Sequence, residues 1–158
     1  MNAVSICKYF EKDHDRLDGL FQEYQRLKGT DFPRAKECFM QFEFGLRRHI
    51  IWEEEILFPI FEEKSGMREN GPTEVMRSEH RQIHQTIEVL RQKLLAGNSN
   101  TGHEEEYLLM LLGNHNLKEE NILYPLIDDH INEKELQEVF QQMENIPDTR
   151  YQVDYTPV

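Results

Sequence analysis

The sequence predicts an all-α protein: an up-down-up-down four-helix bundle with a short C-terminal helix and an irregular tail. Three observations lead there. Apolar residues recur at helical spacing through four long segments, and Gly and Pro cluster between those segments. No stretch shows the sustained two-residue alternation of a half-buried strand. Four long helices joined by short loops form antiparallel neighbours.

The first helix is expected from about Ser5 to Lys28, where Ile6, Phe10, Leu17, Leu20, Phe21, Tyr24 and Leu27 share a side and Gly29-Thr-Asp ends the pattern. Asp31 then offers an N-cap, and Pro33 sits in the first turn, where a missing N–H costs nothing. This second helix carries Phe39, Phe42, Leu46, Ile50 and Leu57 as far as Pro59, which should kink or end it. Residues 65–72 read as a loop. Thr73 caps a third helix to about Ala96, with Val75, Ile83, Ile87, Leu90 and Leu94 on one side. After the loop at 97–102 a fourth helix runs from about His103 to Asp128, interrupted late by Pro125. Asn132 caps a fifth, from Glu133 to Met143, and the segment from Ile146 has no periodicity. The chain divides into a bundle over 1–145 and a tail over 146–158.

A net charge of −12 and a pI near 5.0 oppose nucleic acid and a polybasic membrane contact as partners. The longest apolar runs are a few residues, too short to span a bilayer, and the first residues lack the pattern of a signal peptide. The expected location is cytoplasmic. Cys7 and Cys38 have neither the number nor the spacing of a disulfide framework, and read as small hydrophobes.

The chemistry lies in an internal echo. His14, His49 and Glu53 recur as His80, His115 and Glu119, each 66 residues later, with similar flanks around His49-x-x-x-Glu53 and His115-x-x-x-Glu119. Residues four apart lie one turn apart on a helix face, so His49 projects with Glu53, His115 with Glu119 and His80 with His84. With these faces inward, the core holds five imidazoles and two carboxylates. That set exceeds a tetrahedral zinc site and is too nitrogen-rich for calcium or magnesium. It suits two first-row metals, iron or manganese before others, with each carboxylate placed to bridge them.

Asp13-His14-Asp15, His49-x-x-x-Glu53, Glu79-His80 and His115-x-x-x-Glu119 together resemble the hemerythrin-like family, the HHE cation-binding domain, over about residues 5–130. The resemblance implies a four-helix bundle around two iron ions, oxo- or hydroxo-bridged, with His14, His49, His80 and His115 as terminal ligands and Glu53 and Glu119 as bridges. Oxygen-carrying members place a second histidine one turn along the third helix, and His80-x-x-x-His84 matches them, which implies His84 as a further ligand. The iron held by His80, His84 and His115 would then be saturated, leaving the open position on the one held by His14 and His49. The carriers space their last His and carboxylate by five residues. Here Glu119 stands at four and Glu120 at five, and the echo with Glu53 favours Glu119.

Glu54 and Glu120 read as solvated or salt-bridged residues. Asp13 and Glu79 either orient a ring N–H across the bundle or lie exposed. Gly45, one turn before His49, is expected to leave space for a small ligand near the open iron. Phe58 and Tyr124 are echo partners and read as core aromatics, with a Tyr124 phenolate on iron as the lesser alternative; Trp52 reads as packing, and His103 and His130 as surface residues. The functions to expect are oxygen binding, as carrier, store or sensor; an enzyme of nitrosative or oxidative defence acting on nitric oxide or peroxide, with iron–sulfur cluster repair among that family's roles; or iron handling without redox turnover. The partner is a small diatomic ligand. The absence of a signalling domain and of a cysteine-containing N-terminal module lowers the expectation of sensing and of repair, and the five-histidine set favours oxygen binding, since a saturated iron beside an open one suits reversible attachment.

Overall fold

The computed structural model describes residues 4–156, and among these there is no strand. Helix α1 spans Ile6–Leu27, α2 Phe32–Trp52, α3 Phe58–Ser65, α4 Pro72–Leu95, α5 Gly102–Lys118, α6 Tyr124–His130 and α7 Glu133–Asn145. Short π-helical turns, Glu53–Leu57 and Glu119–Leu123, join α2 to α3 and α5 to α6 as continuous helical runs. Helix α1 packs chiefly along α2, and α4 along α5. No helix among the described residues is long and apolar enough to cross a membrane.

The helix ends follow local chemistry. Ser5 accepts from the Lys8 amide at 3.2 Å, Asp31 from Arg34 at 3.3 Å, and Asn132 forms a reciprocal capping box with Glu135. Asp128 adds a long-range cap to α1: its carboxylate accepts from the amides of Ile6 and Cys7 at 2.9 and 3.0 Å. The Thr73 expectation is corrected. Gly71 is the N-cap of α4 and Pro72 its first residue, while the Thr73 hydroxyl is buried and donates to Glu62 at 2.8 Å. Val75 is exposed, and Met76 takes the inward place.

Pro59 and Pro125 do not end their helical runs. Each follows a π-turn in which an amide bonds five residues back: Phe58 to Glu53 and Tyr124 to Glu119. The wider turn relieves the clash that a proline ring makes with the preceding turn.

Two apolar clusters fill the bundle. One contains Phe21, Tyr24, Phe39, Phe42, Ile83, Leu90 and Leu108; the other contains Ile6, Phe10, Leu57, Phe58, Phe61, Ile127 and Val139. Helix α7 and both π-turns contribute to the second cluster. Along α1, Phe10 belongs to one and Leu17 to the other, and His14 falls between them. A polar layer is thus enclosed between two apolar ones. Cys7 and Cys38 are half-buried against these clusters, and burial, reinforced by Asp128, pushes the Cys7 thiol up to about 12.

The C-terminal segment is largely irregular, with one 3-10 turn at Asp148–Arg150, yet it is fastened to the bundle. Tyr151 is buried edge-on against Phe44 and Trp52, and its hydroxyl accepts from Trp52 Nε1 at 3.0 Å. The Tyr155 hydroxyl donates to Glu43, which also accepts from Arg91.

Candidate metal centre

His14 of α1, His49 of α2, His80 of α4 and His115 of α5 meet in the polar layer with Glu53 and Glu119, the first residues of the two π-turns. All six are buried, and both carboxylates are wholly inaccessible. Their candidate ligand atoms form two groups. Those of Glu53, His80, His115 and Glu119 lie within 4.8 Å of one another, as do those of His14, His49 and Glu119. Glu119 belongs to both groups. Glu53 faces both: its Oε1 lies 3.2 Å from His80 Nε2 and its Oε2 3.7 Å from His49 Nε2. The rings pair accordingly, with centroids 4.6 Å apart for His14 and His49 and 4.8 Å for His80 and His115.

Every imidazole turns Nε2 inward and presents Nδ1 to an outer carboxylate. Asp13 lies 2.9 Å from His49 Nδ1 and Glu79 2.9 Å from His115 Nδ1. Glu54 lies 2.6 Å from His80 Nδ1, and Glu120 3.0 Å from His14 Nδ1. Of the two readings of Glu54 and Glu120, the ion-paired one holds, and their partners are the cage histidines, with both carboxylates half-buried. The signal was available, because 54 and 120 share the same offset as the other echoed positions. A carboxylate at Nδ1 keeps the proton there and leaves Nε2 as a lone pair for a cation.

The interior lacks protons for its acceptors. Glu53 Oε1, His80 Nε2 and Glu119 Oε2 are buried without a hydrogen-bond partner among the described residues. Orphaned buried acceptors on two carboxylates and an imidazole are costly unless a cation satisfies them. Protons compete with a cation for these atoms. Burial, with Glu119 beside it, pushes Glu53 up to about 7. Burial opposes protonation of His14 and His80, but the neighbouring carboxylates outweigh it and raise them to about 9 and about 10. The donor set therefore fits one or more metal cations, whose binding would release these protons.

His84 is not part of this cage. It is exposed on α4, in an open cleft with Arg47, Glu54 and Glu88, and its echo partner Asp18 is exposed as well. Ile83 holds the inward position that follows His80. Gly45 is corrected too. A Cβ there would lie 2.7 Å from Leu17 Cδ2 and 2.8 Å from an Arg16 guanidinium nitrogen. The glycine lets α1 approach α2 and Arg16 reach Asp13 at 2.9 Å, rather than leaving room for a ligand. His103 is exposed as expected, and His130 is half-buried, bonded through Nδ1 to the Leu126 carbonyl at 2.7 Å.

Tyr124 holds a place beyond that of a core aromatic. Its ring is buried, and its hydroxyl lies 2.8 Å from Glu53 Oε2, 3.0 Å from Glu119 Oε1, 3.1 Å from His49 Nε2 and 3.3 Å from His14 Nε2. Burial and the two carboxylates hold the phenol well above its ordinary range. Its echo partner Phe58 stacks flat on His80, 5.9 Å between centroids and 8° between planes.

A family model for the hemerythrin HHE cation-binding domain matches residues 5–127. An uncharacterized hemerythrin-like protein of Schizosaccharomyces pombe is 30% identical over 125 residues, 78% of this chain and 60% of that one. Iron-sulfur cluster repair proteins YtfE are similar over shorter stretches. The protein of Edwardsiella ictaluri is 32% identical over 96 residues (56% of this chain, 43% of its own), and that of Salmonella paratyphi B 37% over 92 residues (54% and 42%). The match thus spans less than two thirds of each of these relatives. No solved structure gives a significant match. With four histidines and two glutamates gathered between its helices, the chain belongs to the hemerythrin HHE cation-binding family.

Proposed function

We propose that this is a non-haem di-iron protein of oxidative or nitrosative stress defence, acting on a small oxidant or nitric oxide rather than carrying oxygen reversibly. His14 and His49 hold one iron, His80 and His115 the other, and Glu53 and Glu119 bridge them. The bundle, assigned to residues 1–145, has up-down-up-down topology, and the tail, 146–158, is fastened to α2 through Tyr151 and Tyr155. Two carboxylates with four imidazoles favour iron by ligand chemistry, and the division into two groups sharing Glu119 supports two metals.

One observation carries the choice of activity: the cage lacks a fifth imidazole and admits a tyrosine hydroxyl on its His14 and His49 side. His84 lies outside, so no histidine saturates one metal. Tyr124 brings an O–H within 3.3 Å of two imidazole Nε2 atoms and both inner carboxylates. A proton delivered to a bound small molecule promotes its reduction, whereas reversible carriage needs protons kept away. The iron pair, when bound, supplies the electrons. Glu54 and Glu120 fix the Nδ1 protons of His80 and His14 and stand half-exposed between cage and solvent, suited to resupplying protons. The likeness to repair proteins supports this reading. The oxygen binder is the alternative.

The test is optical and analytical. Purified protein should contain about two irons per chain, and His49→Ala or Glu53→Ala should lose most of them; full occupancy in both variants would refute the site. Oxygen added to the reduced protein should oxidise it irreversibly. A spectral change that vacuum reverses would establish the oxygen binder instead.

A further inference from the structure

We infer that Tyr124 Oη is a fifth protein ligand, bound to the iron of His14 and His49 alone, and that exogenous small ligands attach to the other iron, held by His80 and His115. The inference rests on the di-iron reading and adds to it an inequality between the two metals.

The argument begins with hydrogen counting. A phenol has one hydrogen to give. In the neutral, Nδ1-protonated form that a metal requires, His14 and His49 each point an Nε2 lone pair at Oη, from 3.3 and 3.1 Å. Glu53 Oε2 and Glu119 Oε1 approach it at 2.8 and 3.0 Å. Four acceptors therefore surround one hydrogen, and at most one of them is satisfied. Five electron-rich atoms converge on one side of the cage, and a cation satisfies all of them at once. As the oxygen–iron bond forms, the O–H bond breaks and the proton leaves to solvent, with no change of oxidation state.

The other half offers nothing equivalent. Phe58, at the echoed position, has no heteroatom and stacks on His80, while His80 Nε2 and Glu53 Oε1 lack hydrogen-bond partners. The iron there has two imidazoles and the shared carboxylates, and the vacant coordination position is its own. The expectation that placed the open position on the His14 and His49 side is thereby reversed: it required His84 in the cage, and Tyr124 fills that side instead.

The experiment compares iron-loaded ferric wild type, Tyr124→Phe and Phe58→Tyr by absorption and resonance Raman spectroscopy, with iron measured separately. Azide serves as the probe ligand. Wild type should show a visible phenolate-to-iron charge-transfer band with enhanced phenolate ring modes, and should bind azide. Tyr124→Phe should keep its iron and lose both signatures. Phe58→Tyr should gain a second phenolate signature and bind azide at least ~10-fold more weakly. Iron-replete wild type without phenolate modes overturns phenolate ligation. A band that survives in Tyr124→Phe overturns its assignment to this residue. Unaltered azide affinity in Phe58→Tyr overturns the location of the open position. A wild-type chain that takes up no iron overturns the di-iron reading itself.

Discussion

Each cage imidazole is held at Nδ1 by an outer carboxylate, which sets the orientation and basicity of the ligand it faces. Glu54→Ala and Glu120→Ala should each weaken metal binding 10–100-fold, measured by competition with a chelator, while leaving all six inner side chains in place. Loss of less than about 3-fold in both would reduce these residues to surface charges. The six inner residues were legible because a repeated spacing placed them. His84 misled for a geometric reason. Along α4 the buried apolar positions together with His80 run Met76, His80, Ile83, Ile87, Leu90 and Leu94, alternating steps of four and three, so the step after His80 is three. A histidine four residues on, with an isoleucine before it, lies past the edge of the inward face. Tyr124 was legible only in part, since an aromatic at helical spacing reads as core until its hydroxyl is located.

The helices owe their positions to contacts that periodicity cannot express. Asp128 caps α1 from the end of α6, more than a hundred residues away in the chain. Asp128→Ala should lower stability by about 1–2 kcal/mol in urea unfolding, since it leaves two helix-terminal amides unpaired. A change within about 0.5 kcal/mol would mean that water replaces the carboxylate. The π-turns were equally hidden. Pro59 and Pro125 marked where each helix is disturbed, but not that the disturbance is one wider turn rather than a break. Each turn begins at an inner glutamate, so the same local distortion that tolerates the proline presents the carboxylate.

Across the whole molecule, ion pairs far from the cage tie helices together. Glu105 of α5 is buried and accepts from Lys28 at 2.6 Å, Gln25 at 3.1 Å and the Thr101 hydroxyl. Burial alone would raise its carboxyl, but Lys28, Thr101 and Gln25 together bring it below the ordinary value. A carboxylate depressed in the folded state contributes stability above its unfolded pKa, about 4.3, and loses it as pH falls through the folded value. Glu105→Gln should therefore destabilise the protein by about 1–3 kcal/mol near neutrality and flatten the acid limb of its stability profile. An acid limb identical to wild type would assign that limb to other carboxylates. The tail belongs to this scale as well. Its lack of periodicity concealed Tyr151 and Tyr155, whose partners Trp52 and Glu43 lie a hundred residues or so earlier.

The outer carboxylates differ in reach. Asp13 and Glu79 each serve a histidine in their own half of the chain, whereas Glu54 serves His80 and Glu120 serves His14, each across the halves. The exchange is mutual, as it would be between two copies of a half-length protein related by a twofold axis. Such an ancestor, a homodimer of one helix pair, would have built the whole cage from a single short gene. Fusion of two copies would have freed one tyrosine or phenylalanine to change alone. On that descent, the inequality between Tyr124 and Phe58 became available only once the two halves were separately encoded.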